Sequence, residues 1–352
     1  MGGKQTKIKK RRSKSKKLIT TKLDMLETPD HKPKIILLGT GGSGKTTIAK
    51  QMRILAQNSF SEKERNEYKS TIYNGMLRSI KTLLPAMSAL KIAFESNERL
   101  SDAQIVLHKN YVEISELSPE LVTAMRNLVC DSGFKSCFEM LDNFQEEEFF
   151  TYFSKEIDRI TDPAYVPTLE DILHINIKST GIFTYDCSYE ELDFTFVETS
   201  GRRTERKKWI HTFDEVDIVL FCVSMSDYNQ VLLENEETNC MTESLKLFQS
   251  ICNNTILKES KFVLLLNKKD VLNEKVRRCA FGQHFDEFKG ENAYETVSLY
   301  IKNMFEDVIV NKEKREIHTF FTCATDTDDF RAILDELHRL MTEKSPSGNF
   351  LK

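Results

Sequence analysis

Gly39 to Thr46 reads GTGGSGKT, directly behind the apolar run KIILL of Lys34 to Leu38. A short buried strand, a glycine-rich turn and then a helix make the setting of a phosphate-binding loop, and the run fits G-x-x-x-x-G-K-[ST]. Gly39, Gly41, Gly42 and Gly44 let the backbone around Ser43 turn its N–H groups toward phosphate oxygens. A helix starting near Lys45 adds the positive end of its dipole. Lys45 is expected to reach the outer phosphates, Thr46 to ligate Mg²⁺, and Thr47 to complete the cradle. The loop alone leaves ATP and GTP both open.

Base choice rests on a second run about 220 residues later, NKKD at Asn267 to Asp270, behind the apolar segment KFVLLL of Lys261 to Leu266. That segment reads as a buried parallel strand whose C-terminal end faces the ligand crevice. The Asp270 carboxylate can accept from the ring N–H and exocyclic amine of guanine, a donor pair that adenine lacks. Asn267 and the Lys268 stem are expected to brace the loop and the base. A third strand, HTFFT (His318 to Thr322), runs into TCAT, so Cys323, Ala324 and Thr325 are expected to touch the base from the other side. GTP or GDP is therefore the expected ligand, with Mg²⁺.

Six segments in this order, LLGTGGSGKTTIAKQMRIL, YVPTLEDIL, TERKKWIHTFDEV, SDYNQVL, LLLNKKD and FTCATDT, resemble the α subunits of heterotrimeric G proteins over nearly the whole chain. The resemblance implies an α/β fold, a P-loop Ras-like GTPase domain with an inserted all-helical domain. It also implies a βγ dimer and a seven-helix receptor as partners, an unnamed effector, and receptor-coupled signalling at the cytoplasmic face of the plasma membrane. The expected division is 1–33 for a basic arm and helix, 34–57 with 175–352 for the GTPase domain, and 58–174 for the helical insertion.

The insertion is also legible on its own. Some 115 residues after the phosphate loop show no strand alternation, too many for a loop. Ser61 and Glu64 fit a capping box, after which Tyr68, Ile72, Met76, Ile80, Leu83, Met87 and Leu90 recur at helical spacing. Pro85 is expected to kink or split that helix. Pro119 to Val129 and Glu146 to Ile160 read as further helices, as does the apolar stripe of Phe330, Ile333, Leu334, Leu337 and Leu340.

In the resemblance, Leu169 to Phe183 corresponds to the first switch and Leu192 to Trp209 to the second. Ser179 falls at the family's Mg²⁺-ligating Thr. Where the family has D-V-G-G-Q, this chain has Glu198, Thr199, Ser200, Gly201 and Arg202. Gly201 keeps the N–H that senses a γ-phosphate, while Glu198, one methylene longer than Asp, is expected to hold Mg²⁺ through water. Arg202 replaces the water-orienting Gln, and Asn176 replaces the arginine finger. Asn is neutral, and Arg is a donor without an acceptor, so slow hydrolysis is expected. Two alternatives stand beside this: a competent GTPase with rewired residues, Arg202 as a substitute finger and His174 assisting, or a scaffold that no longer toggles.

Composition agrees with a two-domain chain of 352 residues. Its eight cysteines lack metal spacing and no secretory leader is evident, so reduced thiols are expected. No apolar run exceeds about six residues, against the ~20 that span a bilayer. The start, MGGKQT, fits M-G-x-x-x-[ST], which makes Gly2 a candidate for myristoylation. Nine cations by residue 17 and no acid before Asp24 supply the second signal of a membrane anchor. The net charge of −4 thus conceals −13 on residues 18–352, so the arm faces anionic lipid and no nucleic-acid partner is expected. A nuclear-import signal and a solvated tail remain alternatives for KKRRSKSKK. Ile19, Leu23 and Leu26 share one helical face, which the resemblance assigns to βγ docking.

Overall fold

The computed structural model describes residues 32–108, 114, 116–141, 147–177, 180–232, 235–313, 315 and 317–343. Gly2, the basic run, the Ile19–Leu23–Leu26 stripe, Ser179 and the tail SPSGNFLK lie outside the described residues.

The strands are β1 (Lys34–Gly39), β2 (Ile182–Tyr189), β3 (Leu192–Thr199), β4 (Ile218–Ser224), β5 (Val231–Leu232), β6 (Asn235–Asn239), β7 (Lys261–Asn267) and β8 (Ile317–Thr322). Six form one sheet in the order β2-β3-β1-β4-β7-β8, with only β2 antiparallel to its neighbour, and β5 and β6 pair separately. β1 lies centrally, Lys34 opposite Thr195 of β3 and Ile35 opposite Ile218 of β4. Helix α1 (Lys45–Ala56) follows the phosphate loop. The insertion supplies α2 (Glu62–Glu67), α3 (Lys69–Leu90), α4 (Glu98–His108), α5 (Pro119–Cys130), α6 (Ser132–Met140), α7 (Glu147–Lys155), α8 (Ile157–Ile160) and α9 (Leu169–His174). Then come α10 (Cys240–Cys252), α11 (Lys269–Lys275), α12 (Tyr294–Asp307) and α13 (Thr327–Thr342).

β1, β4 and β7 are apolar at nearly every position because both faces of the sheet are covered. Ile36, Leu38, Phe221, Leu264 and Leu266 point to the side packed with Phe248 of α10 and Ile301 and Phe305 of α12. Ile35, Leu37, Leu220, Val263 and Leu265 face the other side, against Ile48 and Met52 of α1 and Phe330, Leu334 and Leu337 of α13. The insertion has a separate apolar core, from Ile72 and Met76 on α3 through Leu121 and Phe153 to Ile175.

Two sequence expectations need correction. The capping box at Ser61 opens the short α2 and not the long helix α3, which starts afresh after Tyr68 at its N-cap and carries the apolar stripe through Leu90 in one piece. Pro85 neither splits nor ends α3, which runs on to Leu90. It is exposed, and on a water-facing side hydration can compensate for the N–H that proline lacks.

Candidate nucleotide site

The phosphate loop turns between β1 and α1 with Gly44 in the left-handed region, φ 105°. A side chain there would be strained twice, because its Cβ would lie 2.1 Å from Asn267 Nδ2. That closeness has a purpose. The buried Asn267 amide donates to Ser43 O at 2.9 Å, and its Oδ1 accepts from Ala324 N at 2.9 Å and Thr322 Oγ1 at 3.2 Å. One side chain thus ties the phosphate loop to the NKKD and TCAT segments. Gln51 Nε2 adds a bond to Ala324 O at 3.1 Å, and the Cys222 thiol donates to Ser43 O at 2.9 Å. Lys45 is buried, its Nζ donating to Thr40 O at 2.6 Å. Burial pushes its pKa down to about 8, against the opposing pull of Cys222 and Glu198. Gly39, Gly41 and Gly42 form the turn ahead of Ser43, and Thr47 lies half-buried in the first turn of α1.

On the base side, Lys268 turns the chain in left-handed conformation, φ 64°, and Asp270 lies exposed in the first turn of α11. The Cys323 thiol neighbours Asp270 and sits 3.1 Å from Thr325 Oγ1; burial raises its pKa, with Asp270 adding to the rise. Lys269 Nζ pairs with Asp329 at 2.5 Å, and Cys323 N donates to the same carboxylate at 3.1 Å. NKKD and TCAT are therefore locked side by side. The Lys268 stem is expected to brace the loop and the base, and its Nζ reaches Glu148 on α7 at 2.7 Å, while Arg278 binds Glu147 at 3.0 Å. Both pairs join the helical insertion to the base-loop region.

Thr46 and Glu198 come together, the hydroxyl hydrogen-bonded to the carboxylate. Glu198 is buried at the end of β3, and desolvation raises its pKa against the pull of Thr46, Lys45, Tyr185 and Lys50. Its Oε1 has no hydrogen-bond partner among the described residues. A buried carboxylate oxygen left open beside a hydroxyl fits a hydrated Mg²⁺, which keeps several waters and needs few protein oxygens. No cluster of three His, Cys, Asp or Glu suited to a metal occurs among the described residues. Ser179, the third expected ligand, lies outside them.

Gly201 touches the phosphate loop: a Cβ on it would meet Lys45 Nζ at 2.4 Å and Gly41 N at 2.6 Å. The flanking chain is held by Ser200 N donating to Gly181 O at 2.9 Å, Gly181 N to Glu205 at 2.7 Å, and the buried Trp209 indole N–H to Ser200 O at 3.1 Å. Arg206 spans Gly201 O, at 3.3 Å, and Glu243 on α10, at 2.6 Å. Arg202 and Asn176 are both exposed, and neither side chain has a hydrogen-bond or ionic partner among the described residues. His174 stacks on Tyr152 at 3.7 Å and its Nδ1 lies 3.0 Å from Glu170 O, so its ring is already engaged.

Sequence reasoning passed over Arg206, Glu243, Glu147, Glu148, Gln51 and Lys50. Their types are ordinary on a surface, and only the fold brings them into the site. The family model described as G-alpha, G-protein alpha subunit, matches residues 5–341.

Proposed function

Because this chain belongs to the G-protein alpha subunit family, a family of GTP-binding signal-transduction GTPases, we propose that it is a slow-hydrolysing, Mg²⁺-dependent switch built on the residues above. The observation that carries the reading is the close approach of Gly201 to Lys45 and Gly41, which supports the second switch as the sensor of a γ-phosphate. Lys45 and the loop N–H groups bind the phosphates, and Asp270 reads guanine. Thr46 and Glu198, with Ser179, would hold Mg²⁺, which when bound neutralises phosphate charge. The γ-phosphate draws Gly201 in, and Arg206 passes that position to α10 through Glu243. Partners typical of the family, a βγ dimer and a receptor, read the two states. The separate core from Ile72 to Ile175 supports a distinct helical insertion, reaching one residue past the expected boundary at 174.

Hydrolysis is slow in this reading because neither Arg202 nor Asn176 supplies what the reaction uses. An arginine finger contributes roughly 10³ to 10⁵ in rate, and Asn176 cannot offset phosphoryl charge. Single-turnover hydrolysis of preloaded GTP tests it. Arg202→Gln with Asn176→Arg is expected to speed turnover by at least about a hundredfold. A fast parent that Arg202→Ala abolishes would instead make Arg202 the finger, a role its exposed guanidinium permits.

At the amino end, Gly2 acylation and the nine cations of the arm favour peripheral attachment to anionic membrane. Gly2→Ala is expected to release the protein to the soluble fraction; undiminished membrane binding would count against the lipid anchor.

A further inference from the structure

Lys50 is a buried cation that the reading above does not use. It lies one turn beyond Thr46 on the same side of α1, and its charge is felt at Glu198. Its Nζ donates to Ile172 O at 2.8 Å and to Ile175 O at 2.6 Å, the carbonyls that end α9. A helix C-terminus on the surface takes water or a glycine cap, so burying an ammonium to satisfy it needs another reason. The next residue, Asn176, opens the segment leading to Ser179.

The opposite end of α9 is equally fixed. Thr168 caps it in a reciprocal box with Asp171, and the buried Asp171 carboxylate also accepts two bonds from Arg159 and one each from Tyr152 and Tyr165. α9 is thus a six-residue strut, held by the insertion at one end and by the phosphate-loop helix at the other.

The geometry points to Lys50 as a positioning residue for the first switch: it fixes the chain entering Asn176 directly onto the helix that carries Lys45 and Thr46. The inference rests on the proposed switch reading of that segment. It assigns Lys50 a selective effect, because a switch ordered around the γ-phosphate holds triphosphate and contributes little to holding GDP.

The experiment compares dissociation of a fluorescent non-hydrolysable GTP analogue and of fluorescent GDP, with and without Mg²⁺, from the parent, Lys50→Met and Lys50→Arg. Lys50→Met is expected to speed Mg²⁺-dependent release of the analogue by about tenfold or more, as for loss of a charge-assisted bond from one state only. GDP release should stay within about threefold, and Lys50→Arg should recover part of the difference. Equal acceleration of both nucleotides, or of neither, overturns the proposal. A parent that gains no retention of the analogue from Mg²⁺ brings down the switch reading itself. Should Lys50→Met not fold, Lys50→Gln, which keeps a donor at shorter reach, is expected to show the same selectivity at smaller size, and its absence overturns the proposal equally.

Discussion

Asn267 and Asp270 stand three residues apart and divide the work of one loop. Asn267 is buried and spent on the protein, while Asp270 is exposed and open to a ligand. Asp270→Asn is therefore expected to leave folding unchanged and to weaken GTP roughly ten- to a hundredfold, the size of a lost charge-assisted bond pair, while raising affinity for xanthine nucleotide. Competition binding checks it, and unchanged preference would refute the assignment of guanine reading to NKKD. Residues such as Lys45, Thr46 and Asp270 were legible because a motif names them. Lys50, Asp171 and Glu243 were not, since a charged side chain in an amphipathic pattern reads as solvent-facing. Only the fold shows each buried against carbonyls or a counter-ion.

Element by element, legibility follows the sheet. β4 and β7 announce themselves as unbroken apolar runs, whereas β2 and β3 alternate and join through Glu190 and Glu191 at φ 48° and 64°. Both residues are left-handed without glycine or asparagine, so the hairpin carries no turn signal. α9 hides for a different reason, being six residues stabilised by bonds from outside itself. Its centre is Asp171. Burial alone would raise that carboxyl, but the bonds from Arg159, Thr168 N–H and the two tyrosines outweigh it and hold the pKa at about 2, below the ordinary 3.8. A depressed carboxylate stabilises the fold fully above its unfolded value and loses that contribution as pH falls toward 2. We expect about 2 kcal/mol of acid-dependent stability that Asp171→Asn lacks, read by urea unfolding at pH 6, 4 and 3. Parallel pH profiles of parent and variant would show that the network contributes nothing.

At the scale of the whole molecule, two ion pairs, Lys268–Glu148 and Arg278–Glu147, close the insertion onto the base-loop region. Neither pair is deeply buried, so each is worth only ~0.2 to 1 kcal/mol. Replacing both acids, Glu147→Gln with Glu148→Gln, should speed GDP release about two- to tenfold, and raised salt should erase the difference. Release unchanged at low salt would mean that the clasp does not limit exit. The two-domain division was visible from length and periodicity, but the clasp was not, because its partners stand some 120 and 131 residues apart.

That separation also sets the order in which the molecule can be made. β1 is among the first strands synthesised, yet its neighbours β3 and β4 arrive some 160 to 180 residues later, and the Asn267 bridge cannot close until Ala324 exists. The insertion has local contacts and its own core, so it can collapse while the ribosome is still at work. Until β3 and β4 have been made, the apolar β1 has no sheet to join. The pocket that Asn267 ties together can be completed only after the strands and loops that carry its partners.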